Sequence, residues 1–117
     1  MARPVKLRMV CSKPHFNVFG PENFEKGNYL KMSIEEFETI RLIDYKRLTQ
    51  EECATFMEVA RTTVQKMYDE ARNKIAKSLV EGRPLKIEGG NYRICSEMPH
   101  GRFCNRKRCH RFNKDCF

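Results

Sequence analysis

From Cys95 to Cys116 the chain reads CSEMPHGRFCNRKRCHRFNKDC, which holds four of its six cysteines and two of its three histidines. Cys95, Cys104, Cys109 and Cys116 are spaced C-x8-C-x4-C-x6-C. Four thiolates are enough for a structural zinc ion or an iron–sulfur cluster, and His100 or His110 could replace one of them. The C-x2-C knuckle of the commonest zinc sites is missing, so spacing does not choose between the two metals. Arg102, Arg106, Lys107, Arg108, Arg111 and Lys114 surround the thiols. Cations favour the thiolate, which suits a metal and equally makes a free thiol reactive. Disulfides or reactive thiols are the competing chemistry, and a basic tail with incidental cysteines is the plainest reading. The density of thiols puts metal first.

A second group of residues suits a different chemistry. In LTQEECATFMEVARTTVQKMYDEARNKI, a short helix, a tight turn and a longer helix follow one another. Arg61, Thr62, Thr63, Gln65 and Lys66 open the longer helix. Arg and Gln can each make paired hydrogen bonds to a purine edge in a major groove, and Lys and Thr can reach phosphate or base. Gln50, at the start of the shorter helix, is placed to hold a phosphate with its side chain and nearby amides. The plain alternative is a helical hairpin within a small bundle.

The elements that would position these residues follow from capping and periodicity. Ser33 with Glu36, and Thr49 with Glu52, are capping boxes. Ile34, Phe37, Ile40 and Ile43 then recur with Glu35, Glu38 and Arg41 between them, predicting an amphipathic helix that ends near Tyr45 or Lys46. Cys53, Ala54 and Met57 mark the buried face of the second helix, with Cys53 a small core hydrophobe. After a break at Glu58–Val59, the stripe Val64, Met67, Ala71, Ile75 and Leu79 predicts a third helix to about Val80, stopped by Gly82 and Pro84. Glu58 must tolerate the left-handed conformation at the turn or the turn must differ, and Ala60 brings no oxygen to cap the third helix. LRMVC is a candidate edge strand. PLKIEGGNYRIC predicts a hairpin about Gly89-Gly90. Cys11 would approach the tail if the N-terminal segment paired with the strand near Ile87.

The fold class expected is therefore mainly α. A short β-hairpin accompanies the helices; residues 1–31 form a basic N-terminal arm and loop, residues 32–90 a helix-turn-helix domain with a C-terminal short strand, and residues 91–117 a basic Cys-rich tail. Net charge divides along the same lines: +4 over residues 1–20, −1 over 21–90 and +5 over 91–117, which sum to the +8 of the whole chain. A near-neutral body with cationic ends suits a polyanion. Arg3, Lys6 and Arg8 at one end, and Arg106, Lys107 and Arg108 at the other, are the expected phosphate contacts. The sequence has no run of eighteen apolar residues and no apolar core of a signal peptide, so no membrane partner is expected and the cytoplasm is the expected compartment.

These residues reach a known family. The chain resembles the domain-of-unknown-function 134 family of small bacterial and archaeal proteins. The resemblance covers about residues 2–90 and rests on ARPVKLRMVC, SIEEFETIRLID, LTQEECA, VARTTV and LVEGRPLKIEGG, in that order. It implies a helix-turn-helix similar to region 4 of the bacterial sigma factors, and with it DNA binding and transcriptional regulation. Glu58 and Ala60 stand where the family usually has glycine and serine.

The leading expectation is a sequence-specific regulator on double-stranded DNA, acting as a homodimer because one helix-turn-helix reads only a few base pairs. An RNA-binding or ribosome-associated module, with the tail as the working part, is the alternative. An enzyme is not expected: there is no C-x-x-C, no His/Asp/Ser set and no paired carboxylates, and no small-molecule substrate is predicted.

Overall fold

A computed structural model of the protein describes residues 7–94. Among the described residues there are three α-helices and five short strands. Strands β1 (Arg8–Val10), β2 (Val18–Phe19) and β3 (Leu30–Met32) precede the helices α1 (Ile34–Thr39), α2 (Gln50–Met57) and α3 (Arg61–Glu81). Strands β4 (Leu85–Ile87) and β5 (Tyr92–Ile94) follow. No helix among the described residues is long and apolar enough to cross a membrane.

Both capping boxes form. The Ser33 hydroxyl accepts from the Glu36 N–H at 3.1 Å while Glu36 accepts from the Ser33 N–H at 3.0 Å, and Thr49 and Glu52 repeat the exchange. Each pair satisfies amides that a helix start leaves open. Past α1 the chain stays helical to Tyr45, but over Ile40–Tyr45 it widens to a π-helix, closed by the Lys46 N–H donating to the Arg41 carbonyl. The Thr39 hydroxyl donates to the Glu36 carbonyl at 2.6 Å, a local bond that competes with the regular ladder where it loosens.

The burial of this segment departs from its periodicity. Glu35, Glu36, Glu38 and Arg41 are buried, whereas Phe37, Ile40 and Ile43 are only partly so. The cause is packing on two sides. The Cys11 N–H in the N-terminal segment donates to Glu38 Oε2 at 3.0 Å, and Lys74 on α3 donates to Glu36 Oε1 at 2.7 Å. Polar partners brought in from far along the chain pair Glu36 and Glu38, so burial does not leave those two carboxylates unpaired, while Glu35 Oε1 is buried without a hydrogen-bond partner among the described residues.

Helix α3 ends as expected, with Gly82 in the left-handed conformation and its N–H donating to the Ser78 carbonyl. Its apolar stripe is covered only in part. Val64 and Ala71 are fully buried and Ile75 is partly buried, but Leu79 is 79% exposed. Phe19, Phe37, Ile40, Ile75 and Leu79 line an open apolar groove there.

The expected hairpin does not form. Strand β4 lies between β2, antiparallel to it, and β3, parallel to it, while β5 pairs in parallel with β1 in a separate two-stranded sheet. The glycine pair carries the chain from one sheet to the other around the start of α1. The Ile34 N–H donates to the Gly89 carbonyl, and the Asn91 N–H donates to Glu35 Oε2 at 2.9 Å. A β-carbon on Gly90 would overlap the Glu35 carboxylate, and Gly90 has a φ of +115°, so only glycine passes here without strain. Within the N-terminal segment, β1 thus pairs with Tyr92–Ile94, while β2 pairs with β4 and the Ile87 N–H donates to the Asn17 carbonyl at 2.8 Å.

Candidate nucleic-acid interface

Helices α2 and α3 are joined by residues 58–60. Glu58 takes the left-handed conformation, φ 58° and ψ 44°, one of the two alternatives the sequence left open. The Val59 N–H donates back to the Ala54 carbonyl at 3.1 Å, and Val59 packs on the core beside buried Ala54. Val64 and Met67 face inward from α3. The link is thereby fixed by backbone bonds and by side chains of the right size, and it sets where the first turns of α3 point.

Those turns are polar on their outer side. Arg61, Thr62, Gln65 and Lys66 are exposed and Thr63 is half-buried. Arg61 and Gln65 are four residues apart, as are Thr62 and Lys66, so each pair shares one side of the helix. Gln50 is half-buried in the first turn of α2. Ala60 has an extended backbone and makes no side-chain cap. Its carbonyl accepts from the Thr63 and Val64 amides at 3.0 and 3.1 Å.

A polar cleft runs beside this surface. It is lined by Arg8 from β1, by Ser33, Glu35 and Glu36 at the start of α1, and by Thr62, Thr63, Lys66 and Glu70 from α3. The structure so brings Arg8, Thr62, Thr63 and Lys66 to one place, while Gln50, Arg61 and Gln65 do not line the cleft. The three glutamates were not among the residues expected here. Glu35 and Glu36 form the acidic first turn of α1 and Glu70 lies on α3, and it is tertiary packing that brings them beside Arg8. Arg8 Nη1 lies 3.8 Å from Glu35 Oε2, and Lys74 holds Glu36, so part of the cationic charge is already balanced within the protein. A phosphate would meet Arg8 with its charge shared, and Lys66 as the freer cation.

Behind the interface, the Tyr68 hydroxyl donates to Asp44 Oδ1 at 2.7 Å and accepts from Arg72 Nη1 at 3.1 Å. Burial first, then the Asp44 carboxylate, push the Tyr68 phenol above its ordinary pKa. It stays a neutral donor and ties α3 to the end of the π-helical stretch.

Arg3 and Lys6, the cations Arg106, Lys107 and Arg108, and the cysteines Cys95, Cys104, Cys109 and Cys116 all lie outside the described residues. Among the described residues, no group of three or more His, Cys, Asp or Glu side chains could hold a metal ion.

Comparison with known proteins places the chain. The family model described as protein of unknown function DUF134 matches residues 1–95. A UPF0251 protein of Desulfitobacterium hafniense strain Y51 is 55% identical over 103 residues, which cover 86% of this chain and 82% of the relative. A UPF0251 protein of Clostridium tetani is 49% identical over 94 residues, covering 79% of this chain and 64% of the relative. No solved structure matches. With a family model spanning most of its length and relatives near half identity, the chain belongs to the DUF134 (UPF0251) family.

Proposed function

We propose that this protein is a sequence-specific binder of double-stranded DNA that regulates transcription in the cytoplasm, and not an enzyme. The observation that carries the reading is the exposed set Arg61, Gln65 and Lys66 on the first two turns of α3, held out by the left-handed turn at Glu58. In this helix-turn-helix, α3 lies in the major groove, Arg61 and Gln65 read base edges, and Thr62, Thr63, Lys66 and Gln50 contact backbone or base. Arg8 reaches the flanking phosphates from β1, joined by Arg3 and Lys6 before it and by Arg106, Lys107 and Arg108 in the tail. The protein acts as a homodimer on a two-fold site. Cys95, Cys104, Cys109 and Cys116 hold a zinc ion or an iron–sulfur cluster that orders or reports on the tail.

The test is selection of a preferred duplex from a random pool, followed by equilibrium titration of variants. Arg61→Ala and Gln65→Ala should each weaken the selected duplex by about 1–3 kcal/mol and relax its sequence preference. Lys66→Ala should weaken all duplexes alike and flatten the salt dependence by about one counterion. Equal loss on every sequence for all three variants would sink the α3 assignment. Binding of RNA that survives deletion of residues 49–80 but not of 91–117 would replace this reading with the tail-based one. Sedimentation on the selected duplex checks the dimer, and metal analysis of anaerobically purified protein checks the tail.

A further inference from the structure

Helix α3 leaves an apolar surface uncovered near its C-terminal end. Ala76, Leu79 and Val80 are exposed there, Leu79 at 79% and Val80 at 85%, and their i, i+3, i+4 spacing puts them on one face. Leu79 also lines the open groove that reaches Phe19, Phe37 and Ile40. We propose that this surface is where two copies of the chain meet, α3 against α3 across a two-fold axis at Leu79. The proposal rests on the homodimer put forward above and names the face that makes it.

Charge is the first feature that selects a second copy as the occupant. A two-fold axis perpendicular to a helix pair makes the helices antiparallel, so residues equally far before and after the axis face each other. Lys77 and Glu81 lie two residues to either side of Leu79, and both are exposed. The crossing therefore sets Lys77 against the second copy's Glu81, and Glu81 against the second copy's Lys77. Two opposite-charge pairs then flank an apolar centre. Within its own chain Glu81 is held only loosely, 3.9 Å from Arg83 and with its side chain 50% exposed.

Shape is the second feature. A two-fold contact needs a patch that is complementary to itself. Here Val80 projects, the neighbouring groove is open, and Ala76 is small enough to let the two helices approach. The Ser78 hydroxyl in the groove already donates to the Arg83 carbonyl at 2.6 Å, so it asks no hydrogen bond of the occupant. Removing the apolar side chains from water drives the contact, and the flanking charges fix its register. Gln65 lies fourteen residues before Leu79, about 21 Å along the helix. Arg61, Gln65 and Lys66 thus stay uncovered in the dimer.

The experiment is sedimentation equilibrium of the full chain, reduced and without nucleic acid, over a range of concentrations. The expected result is a reversible dimer. Leu79→Glu and Val80→Glu should each weaken it by about tenfold or more, since each sets a carboxylate in the apolar centre. Circular dichroism should be unchanged, because both positions are exposed in the single chain. The charges have a test of their own. Lys77→Glu leaves two acids at these positions and Glu81→Lys leaves two bases, so each variant alone should dimerise about fivefold more weakly. An equimolar mixture of the two should associate again, because every acid then faces a base across the contact. A pair formed within one helix gives no such recovery on mixing. A chain that stays monomeric at every concentration would overturn the proposal. So would a dimer that the Leu79 and Val80 variants leave intact, or charge variants that do not recover when mixed. A dimer of this kind that binds no duplex would support the surface and sink the DNA reading alone, and a monomer that selects a duplex would do the reverse.

Discussion

Arg41 turns back onto Glu38, three residues earlier, and grips both oxygens of its carboxylate: Nε to Oε1 at 2.9 Å and Nη2 to Oε2 at 2.7 Å. Both side chains are 3% exposed. The same carboxylate accepts the Cys11 amide, so the ion pair joins the N-terminal segment to the first helix. Breaking one half leaves an uncompensated buried charge. Glu38→Ala and Arg41→Ala should each lower stability by about 3–5 kcal/mol. The double variant should lose much less than the sum, because no orphan charge remains. Urea denaturation of the three variants measures this, and additive losses would show that the pair is not coupled.

Cys53 has a different environment. Its thiol is fully buried and donates to Met57 Sδ at 3.7 Å. Burial, and after it the Glu38 carboxylate, push its pKa up from 9.0 to about 12, with Arg41 pulling weakly the other way. The raised value belongs to the folded state alone. The unfolded chain therefore releases this proton at lower pH, and the Cys53 contribution is whole below pH 9 and lost as pH rises from there toward 12. Over that window it falls by about 1.4 kcal/mol for each pH unit. The Cys53→Ala variant should lack this part of the alkaline slope. Iodoacetamide at pH 8 should leave Cys53 untouched in the folded protein and label it in urea, and prompt labelling without urea would contradict the burial argument.

Gly90 and Gly89 both have positive φ, +115° and +76°, yet they differ in surroundings. A β-carbon at Gly89 would meet nothing within 4 Å, whereas one at Gly90 would overlap Glu35 and lie 3.0 Å from Ser33 Cβ. Gly89→Ala should cost about 1–2 kcal/mol of backbone strain. Gly90→Ala should cost that and about 1–3 kcal/mol more for overpacking. It should also loosen the Asn91 amide from Glu35, seen as faster hydrogen exchange at Asn91. Equal denaturation midpoints for the two variants would refute the close approach.

That glycine pair also shows why part of the fold could not be read from the chain. Helix starts are local, and Ser33/Glu36 and Thr49/Glu52 announced them correctly because each cap is completed within four residues. The stop at Gly82 was legible for the same reason, and the left-handed turn at Glu58 was one of two alternatives open there. Strand pairing is not local. Gly89-Gly90 between extended pieces has the local signature of a hairpin, and nothing nearby tells that β5 will find β1, more than eighty positions earlier in sequence. The buried glutamates failed to register for a related reason. Periodicity gives charged residues to solvent, and it takes partners from far along the chain, the Cys11 amide, Lys74 and the Asn91 amide, beside the local Arg41 pair, to offset their burial. At the candidate interface, Arg61, Gln65 and Lys66 were placed outward correctly, while the acidic wall of the cleft came entirely from tertiary packing.

Ala60 is a position where the chain can be improved. It has φ −69° and ψ 151°, the extended backbone of an N-cap, and its methyl offers no acceptor to the first amides of a helix twenty-one residues long. It is also exposed, so a hydroxyl there needs no burial. A serine oxygen would accept from the Thr62 or Thr63 amide, as Ser33 and Thr49 do for their own helices. Ala60→Ser should therefore raise stability by about 0.5–2 kcal/mol. In a body of this size that is a rise of roughly 4–8 °C in Tm for each kcal/mol. Ala60→Gly is the control: it supplies no acceptor, so it should fall short of the serine variant. Calorimetry of the three proteins decides the matter. If serine gave no gain over both alanine and glycine, the start of α3 would have to be satisfied in some way other than a side-chain cap.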